Sequence, residues 1–390
     1  MDHPRSWPSD LHAESNEREL VMSDIPKTCK AAVLVEYSKP LEIREIEIPE
    51  IGPKAILVKV LMAGICGTDV HQQRGELTIK SPLPNIQGHE TIGRIVKLGE
   101  GRVKDAAGEE LKVGDRIMWA HADCGECYWC TIARDPVLCA RRSGYGWAPP
   151  EALRGGFAEY EYVTPTTNVV RVPDELSEEE AVGVGCAFRT VVGGYERFGK
   201  VGLMEDFVIQ GCGPIGLYST VVARESGART IIVVGAPANR LELAKKWGAD
   251  HVINIDEHKD AEERRQMILE LTQGRGPENV VEASGYPPAV AEGLEMIQKG
   301  GKYLILGQTS AATTPIMPSR INEKGLTIVG SVSAHVVHFY RALQFIKTNR
   351  DKYPFAEIIS GTYRLEDINE ALANMASARE IKPAIDNRDR

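Results

Sequence analysis

Eight cysteines occur in the 390 residues, and four of them, Cys124, Cys127, Cys130 and Cys139, fall within 16 positions. Two x2 spacings followed by a fourth thiol wrap one loop around a tetrahedral zinc with every position filled by protein. Such an ion folds a loop that lacks a core of its own and leaves no site for substrate. Reduced bystander cysteines do not account for the clustering, and the spacing fits neither ferredoxin pattern of an iron–sulfur cluster.

A second constellation is chemically richer. Gly64-Ile-Cys66-Gly-Thr68-Asp69-Val-His71 places a thiol, a hydroxyl, a carboxylate and an imidazole at the end of a predicted strand, and Gly88-His89-Glu90 follows. With Cys186, Cys66 and His89 give two sulfurs and a nitrogen, which leaves the fourth position of a zinc open to water or an alcohol. Cys186 is assigned from context, and Glu90 and Asp69 compete with it. Asp69 also reads as the partner that holds the second nitrogen of His89. An alcohol must lose its proton before hydride leaves its carbon, and zinc lowers the pKa of bound water from 15.7 to about 7. A comparable shift of about 8 units on an alcohol corresponds to roughly 11 kcal/mol, more than a side-chain base supplies.

The third motif is Gly211-Cys-Gly213-Pro214-Ile215-Gly216, a G-x-G-x-x-G between a predicted strand and helix. Gly211 makes the turn, Gly213 lets a pyrophosphate approach the backbone, and Gly216 lets helix and strand pack closely. Where an NAD site carries an acidic residue, this chain reads Val234-Gly235-Ala236-Pro237-Ala238-Asn239-Arg240. Gly235 removes the carboxylate that would repel a 2′-phosphate, and Arg240 could swing in. The coenzyme is thus NAD or NADP, with a lean to NAD because residues 236–238 offer a phosphate nothing.

The elements that must position these groups follow from periodicity. Residues Cys29 to Val163 read as short strands, at Ala31 to Val35, Ala55 to Met62, Glu90 to Leu98 and Arg116 to Trp119, with no sustained helical period. Ser177 and Glu180 form a capping box ahead of a junction helix carrying Cys186. From Asp206 onward strands and helices alternate, with strands near Thr230, Val252, Asn279 and Tyr303 to Leu306, which predicts a parallel, doubly wound sheet. Leu306 closes one of these strands on the coenzyme side. The expected division is a polar tail at 1–25, a β-rich catalytic unit at 26–188, a coenzyme unit at 189–338, and a return to the catalytic unit at 339–390.

Composition narrows the partners. The net charge is −9, from 46 Lys and Arg against 55 Asp and Glu, which disfavours nucleic acid. No apolar run reaches the roughly 20 residues of a membrane span. The N-terminus shows no secretory h-region, so a cytoplasmic location is expected, and thiolate-bound metal is favoured over disulfides.

Taken in order, these motifs, with Gly155-Gly-Phe-Ala-Glu-Tyr160 and Gly185-Cys-Ala-Phe188, resemble the zinc-dependent medium-chain alcohol dehydrogenase family from about Lys30 to Asp386. The resemblance implies an α/β protein with a GroES-like catalytic domain and a Rossmann coenzyme domain, two zinc ions per subunit, and a homodimer or homotetramer acting on a small alcohol or carbonyl compound. It implies that Cys66, His89 and Cys186 hold the catalytic zinc. Thr68 is expected to take the substrate proton and pass it through the nicotinamide ribose to His71, histidine being the side chain that ordinarily titrates near neutrality. Lys382 resembles a position that contacts the coenzyme phosphates. Trp119, Ala120, His121, Trp147 and Phe157 are candidate pocket walls, with the small Ala120 expected to admit a secondary or cyclic alcohol. A polyol or sugar-alcohol dehydrogenase, and a coenzyme-binding protein without catalysis, are the alternatives.

Overall fold

The computed structural model describes residues 25–308 and 310–388, so all but the last residue of the expected polar tail lies outside the described residues. Six parallel strands form one sheet, in the order His251–Asn254, Thr230–Gly235, Asp206–Gln210, Asn279–Glu282, Lys302–Ile305, Thr327–Gly330. Its central strand Asp206–Gln210 is buried along its whole length, the continuous burial typical of a sheet covered on both faces. Strand order reverses between Asp206–Gln210 and Asn279–Glu282, and the crevice beyond the carboxyl ends of these two strands is where such sheets bind ligands. Gly211 begins there.

The second large sheet runs Ile359–Tyr363, Lys382–Asp386, Ile56–Gly64, Glu90–Leu98, Arg116–Trp119, Val169–Arg171, with Tyr160–Val163 also paired to Ile56–Gly64. The late strand Lys382–Asp386 thus returns to the N-terminal half, antiparallel to Ile56–Gly64. A third, three-stranded sheet holds Thr28–Leu34 between Glu42–Glu47 and Asn85–Ile86.

Two expectations need correction. The segment after Gly64 is a helix, Gly67–Arg74, capped reciprocally by Cys66 and Asp69. It carries one buried apolar side chain, Val70, so it shows no amphipathic stripe to read. The junction helix is broken. Ser177 and Glu180 do form the expected capping box, but the chain runs as α-helix over Glu178–Ala181 and as a tight 3-10 turn over Val182–Gly185, and restarts as Ala187–Phe198. Val-Gly-Val-Gly is a weak helix former. A Cβ on Gly185 would meet Glu90 Cα at 2.7 Å, so only glycine lets this turn lie against the Glu90 strand. Cys186 therefore stands at the amino end of Ala187–Phe198, beside that strand.

One apolar cluster includes Leu61, Met62 and Ile92 of the second sheet together with Phe207, Ile209 and Val233 of the first. Phe188 is fully buried within it and stacks on Tyr218 of helix Pro214–Glu225, with ring centroids 4.3 Å apart. Phe188→Ala is expected to cost about 3–5 kcal/mol, read as a lower denaturation midpoint. A loss below about 1 kcal/mol would show that the stack is not a main bond between the two sheets.

Candidate metal centre and coenzyme cleft

The cysteine loop folds as the spacing requires. The sulfurs of Cys124, Cys127, Cys130 and Cys139 lie within 4.8 Å of one another, with neighbouring pairs at 3.5, 3.9 and 3.5 Å. A tetrahedral ion with 2.3 Å Zn–S bonds needs edges of about 3.8 Å, so this cage fits zinc.

The second centre draws on three segments. Cys66 ends the turn after Ile56–Gly64, His89 precedes the neighbouring strand Glu90–Leu98, and Cys186 comes from the break in the junction helix. Cys66 Sγ is 3.6 Å from His89 Nε2, and the ligand atoms of Cys66, His89, Glu90 and Cys186 all lie within 4.8 Å of one another. Bonds of 2.3 Å to sulfur and about 2.05 Å to nitrogen at a tetrahedral angle put those two atoms about 3.6 Å apart, so the donor set fits zinc as well. Asp69, fully buried, accepts the Cys66 N–H at Oδ2 (2.9 Å) and places Oδ1 3.3 Å from His89 Nδ1. It orients the imidazole and caps the ligand's own helix. A hydrogen bond from Cys186 holds the Cys66 thiol well below the ordinary thiol range, against the opposing effect of burial, and His89 adds to it.

Glu90 and Lys382 form a fully buried ion pair beside these ligands. Lys382, expected at the coenzyme phosphates, has its ammonium on Glu90 through the pairing of Lys382–Asp386 with Ile56–Gly64, and a Cβ on Gly64 would strike both partners at 2.7 and 2.9 Å. Burial pushes the Glu90 carboxyl up to about 7, with Lys382 pulling it down.

Beyond these ligands opens a cleft of about 620 Å³, lined among others by Thr68, His89, His121, Trp147, Cys186, Ile215 and Leu306. Another hollow of about 610 Å³, along helix Ala261–Leu271, holds none of the expected site residues, so size alone does not locate the site. His121 and Trp147 lie where expected, in ring contact with each other and with His89. Trp119, Ala120 and Phe157 do not line the cleft. Trp119 packs edge-on against buried Tyr145, Phe157 is fully enclosed, and Ala120 sits in the core with Leu61, Met62 and Val184. Strand and turn geometry directs these side chains inward, which composition does not reveal. His71 is half-exposed, with Nδ1 2.8 Å from Glu76 Oε2, one turn along the helix from Thr68.

The glycines of the fingerprint act as their positions require. Gly211 has φ +108°, and a Cβ there would lie 2.8 Å from Ser284 backbone. Gly213 caps helix Pro214–Glu225 with no neighbour closer than Arg240 Nη1 at 3.9 Å from a built Cβ, so the approach to its backbone stays open. A Cβ on Gly235 would meet Cys212 Sγ at 2.6 Å, so packing against Cys212 excludes a carboxylate from that position. Arg240 is buried and donates to the Glu380 carbonyl. Two further cleft residues, Arg142 and Arg189, were not foreseen. Their only signal was Arg189 lying three positions after Cys186.

Residues 52–174 match the family model described as alcohol dehydrogenase GroES-like domain, and 214–348 match zinc-binding dehydrogenase. The chain is 36% identical over 360 residues to 5-exo-hydroxycamphor dehydrogenase of Pseudomonas putida, covering 92% of this chain and 98% of that one. The crystal structure of an alcohol dehydrogenase from Thermotoga maritima superposes with a TM-score of 0.85 at 34% identity, over 92% of this chain and 99% of the other. A putative zinc-binding dehydrogenase from Sinorhizobium meliloti 1021, bound to NADP, gives 0.80 at 27%, over 93% and 100%. The sheets, the four-cysteine cage and the Cys66–His89–Cys186 centre define a zinc-binding dehydrogenase. This chain belongs to the zinc-dependent medium-chain alcohol dehydrogenase family.

Two substitutions test this arrangement. Lys382→Met strands the buried Glu90 carboxylate and is expected to cost about 3–5 kcal/mol, most of it recovered by adding Glu90→Gln. Equal losses in the single and double variants, measured by urea unfolding, would show that the pair does not interact. Ala120→Phe is expected to overpack the core and cost about 1–3 kcal/mol. An unchanged midpoint with altered alcohol preference would return Ala120 to the pocket.

Proposed function

We propose that this protein reversibly oxidises a secondary or cyclic alcohol to a ketone, with two zinc ions per chain and NAD as hydride acceptor. One observation carries the reading. Cys66, His89 and Cys186 come within sharing distance of one ion, in the same cleft that Ile215 of the fingerprint helix lines. A zinc ion bound by these three residues supplies the Lewis acidity that brings a hydroxyl toward ionisation at neutral pH. An oxidised nicotinamide supplies the hydride acceptor.

The chain's own groups do the rest. Asp69 keeps the Nε2 lone pair of His89 aimed at the ligand position. Thr68 faces the cleft and takes the substrate proton at Oγ1. His71, engaged at Nδ1 by Glu76, exchanges protons with solvent at Nε2. The relative named for 5-exo-hydroxycamphor supports a cyclic substrate. NAD is favoured because Arg240 is committed to Glu380 and residues 236–238 present no donor side chain for a 2′-phosphate. Eight unpaired cysteines fit a reducing compartment, and we assign a cytoplasmic location. Among the described residues no helix is long and apolar enough to cross a membrane.

The test is a panel of primary, secondary, cyclic and polyhydric alcohols with both coenzymes. Secondary or cyclic alcohols with NAD are expected to give the highest kcat/KM. Preference for polyols, or full activity after complete removal of metal, would overturn the reading. His71→Gln is expected to lower kcat about ten- to a hundredfold near neutrality with zinc content unchanged. An unaltered kcat would remove His71 from the proton path.

A further inference from the structure

The cleft also holds two guanidinium groups that alcohol oxidation leaves without work. Arg189, only 2% exposed, lies on Ala187–Phe198, and Arg142 enters from the loop after the cysteine cage. They converge on the same acceptors. Arg189 Nη1 and Arg142 Nη2 donate to the Ser333 hydroxyl at 2.9 and 3.0 Å, and to the Ala334 carbonyl at 3.3 and 3.1 Å. Two cations sharing two neutral acceptors in a poorly hydrated place repel one another, and buried charges normally come with a counter-charge.

No carboxylate answers either charge: Arg189 has the Cys186 thiol beside it and donates Nε to the Gly185 carbonyl at 2.5 Å, which leaves Arg142 hydrogen-bonded to neutral acceptors alone. Among the described residues neither arginine forms an ion pair. The acids around them are already engaged, Asp123 with His335 at 3.3 Å, Asp135 with Arg197, and Glu90 with Lys382. Burial, with the charge of Arg189 behind it, lowers the Arg142 guanidinium to about 10. His121 adds a third donor to the same cleft. Its Nδ1 accepts the Tyr145 N–H at 3.1 Å, which leaves the ring proton on Nε2. A purely structural tie to Ser333 and Ala334 would need only one of these cations.

We propose that His121, Arg142 and Arg189 form a subsite for a carboxylate carried by the substrate, so that the alcohol oxidised here is a hydroxy acid. Planar guanidinium forks match a carboxylate in charge and geometry. The carboxylate is a handle and is unchanged in the reaction. The carbinol carbon gives a hydride to the oxidised nicotinamide and the hydroxyl gives its proton to Thr68 and then solvent, so the hydroxy acid becomes an oxo acid. This inference rests on the alcohol-oxidising reading above and deepens it.

The experiment uses the intact zinc-loaded protein and a matched pair, 3-hydroxycyclohexanecarboxylate and cyclohexanol, with cyclohexanecarboxylate as an unreactive probe. The acid is expected to exceed the alcohol in kcat/KM by about tenfold or more, chiefly through KM, the size of one charge-assisted contact. Cyclohexanecarboxylate is expected to compete with the alcohol and to bind in calorimetry. Arg142→Met is expected to lower the acid-to-alcohol ratio about tenfold, and Arg142→Lys to restore part of it. If that variant does not fold, the wild-type competition and calorimetry decide the matter. Oxidation of cyclohexanol without preference for the acid and without binding of the probe overturns the subsite and leaves the alcohol reading intact. Competition against coenzyme in place of alcohol assigns the cations to a coenzyme phosphate and also overturns it. If no alcohol is oxidised, the alcohol reading fails, and calorimetric binding of the probe still decides the subsite.

Discussion

The close approach of the Gly185–Cys186 turn to the backbone of Glu90 is the constraint on which the rest of the site depends. Cys66 and His89 are brought together by neighbouring antiparallel strands, Ile56–Gly64 and Glu90–Leu98, a pairing that hydrogen bonds along both strands enforce. Cys186 has no such ladder to guide it. It reaches the same point because the junction helix breaks, and because a residue without Cβ lets the broken turn lie directly against the strand. The helix that restarts at Ala187 then carries Phe188 into the core that joins both sheets. The metal position and the packing between the sheets are consequently fixed by consecutive residues.

Charge is arranged with similar economy around the ligands. Two thiols, an imidazole and the neighbouring carboxylates of Asp69 and Glu90 crowd a buried space, and Lys382 answers Glu90 from a strand contributed by the far end of the chain. Asp69 serves both the helix cap and the His89 ring. Along the same cleft Arg142 and Arg189 add positive charge with no carboxylate paired to either, Arg189 lying beside the Cys186 thiol.

What could be read in the sequence follows the distance over which each feature is built. The cysteine cage lies within one 16-residue loop and the glycine fingerprint within one strand-to-helix turn, so local spacing was enough to single out their residues. The parallel strands were legible because each is a short apolar run between helices, whereas Thr327–Gly330, a partly exposed edge strand, and the polar helix Gly67–Arg74 carried no such contrast. The Glu90 partner of Lys382 was not legible because it is chosen by a strand pairing across more than half the chain. Trp119 and Phe157 were candidate walls on size alone, and the face of a strand or turn decides whether a large ring packs inward. Arg142 and Arg189 meet through Ser333 and Ala334, which no local pattern reports.

The central claim is that Cys66, His89 and Cys186 share one ion. Anomalous diffraction at the zinc edge from crystals of the zinc-loaded protein tests it directly. The account predicts two peaks per chain, one inside the four-cysteine cage and one about 2.3 Å from both Cys66 and Cys186 Sγ and about 2.0–2.1 Å from His89 Nε2. A single peak confined to the cage, with the three side chains turned away from one another, would contradict it.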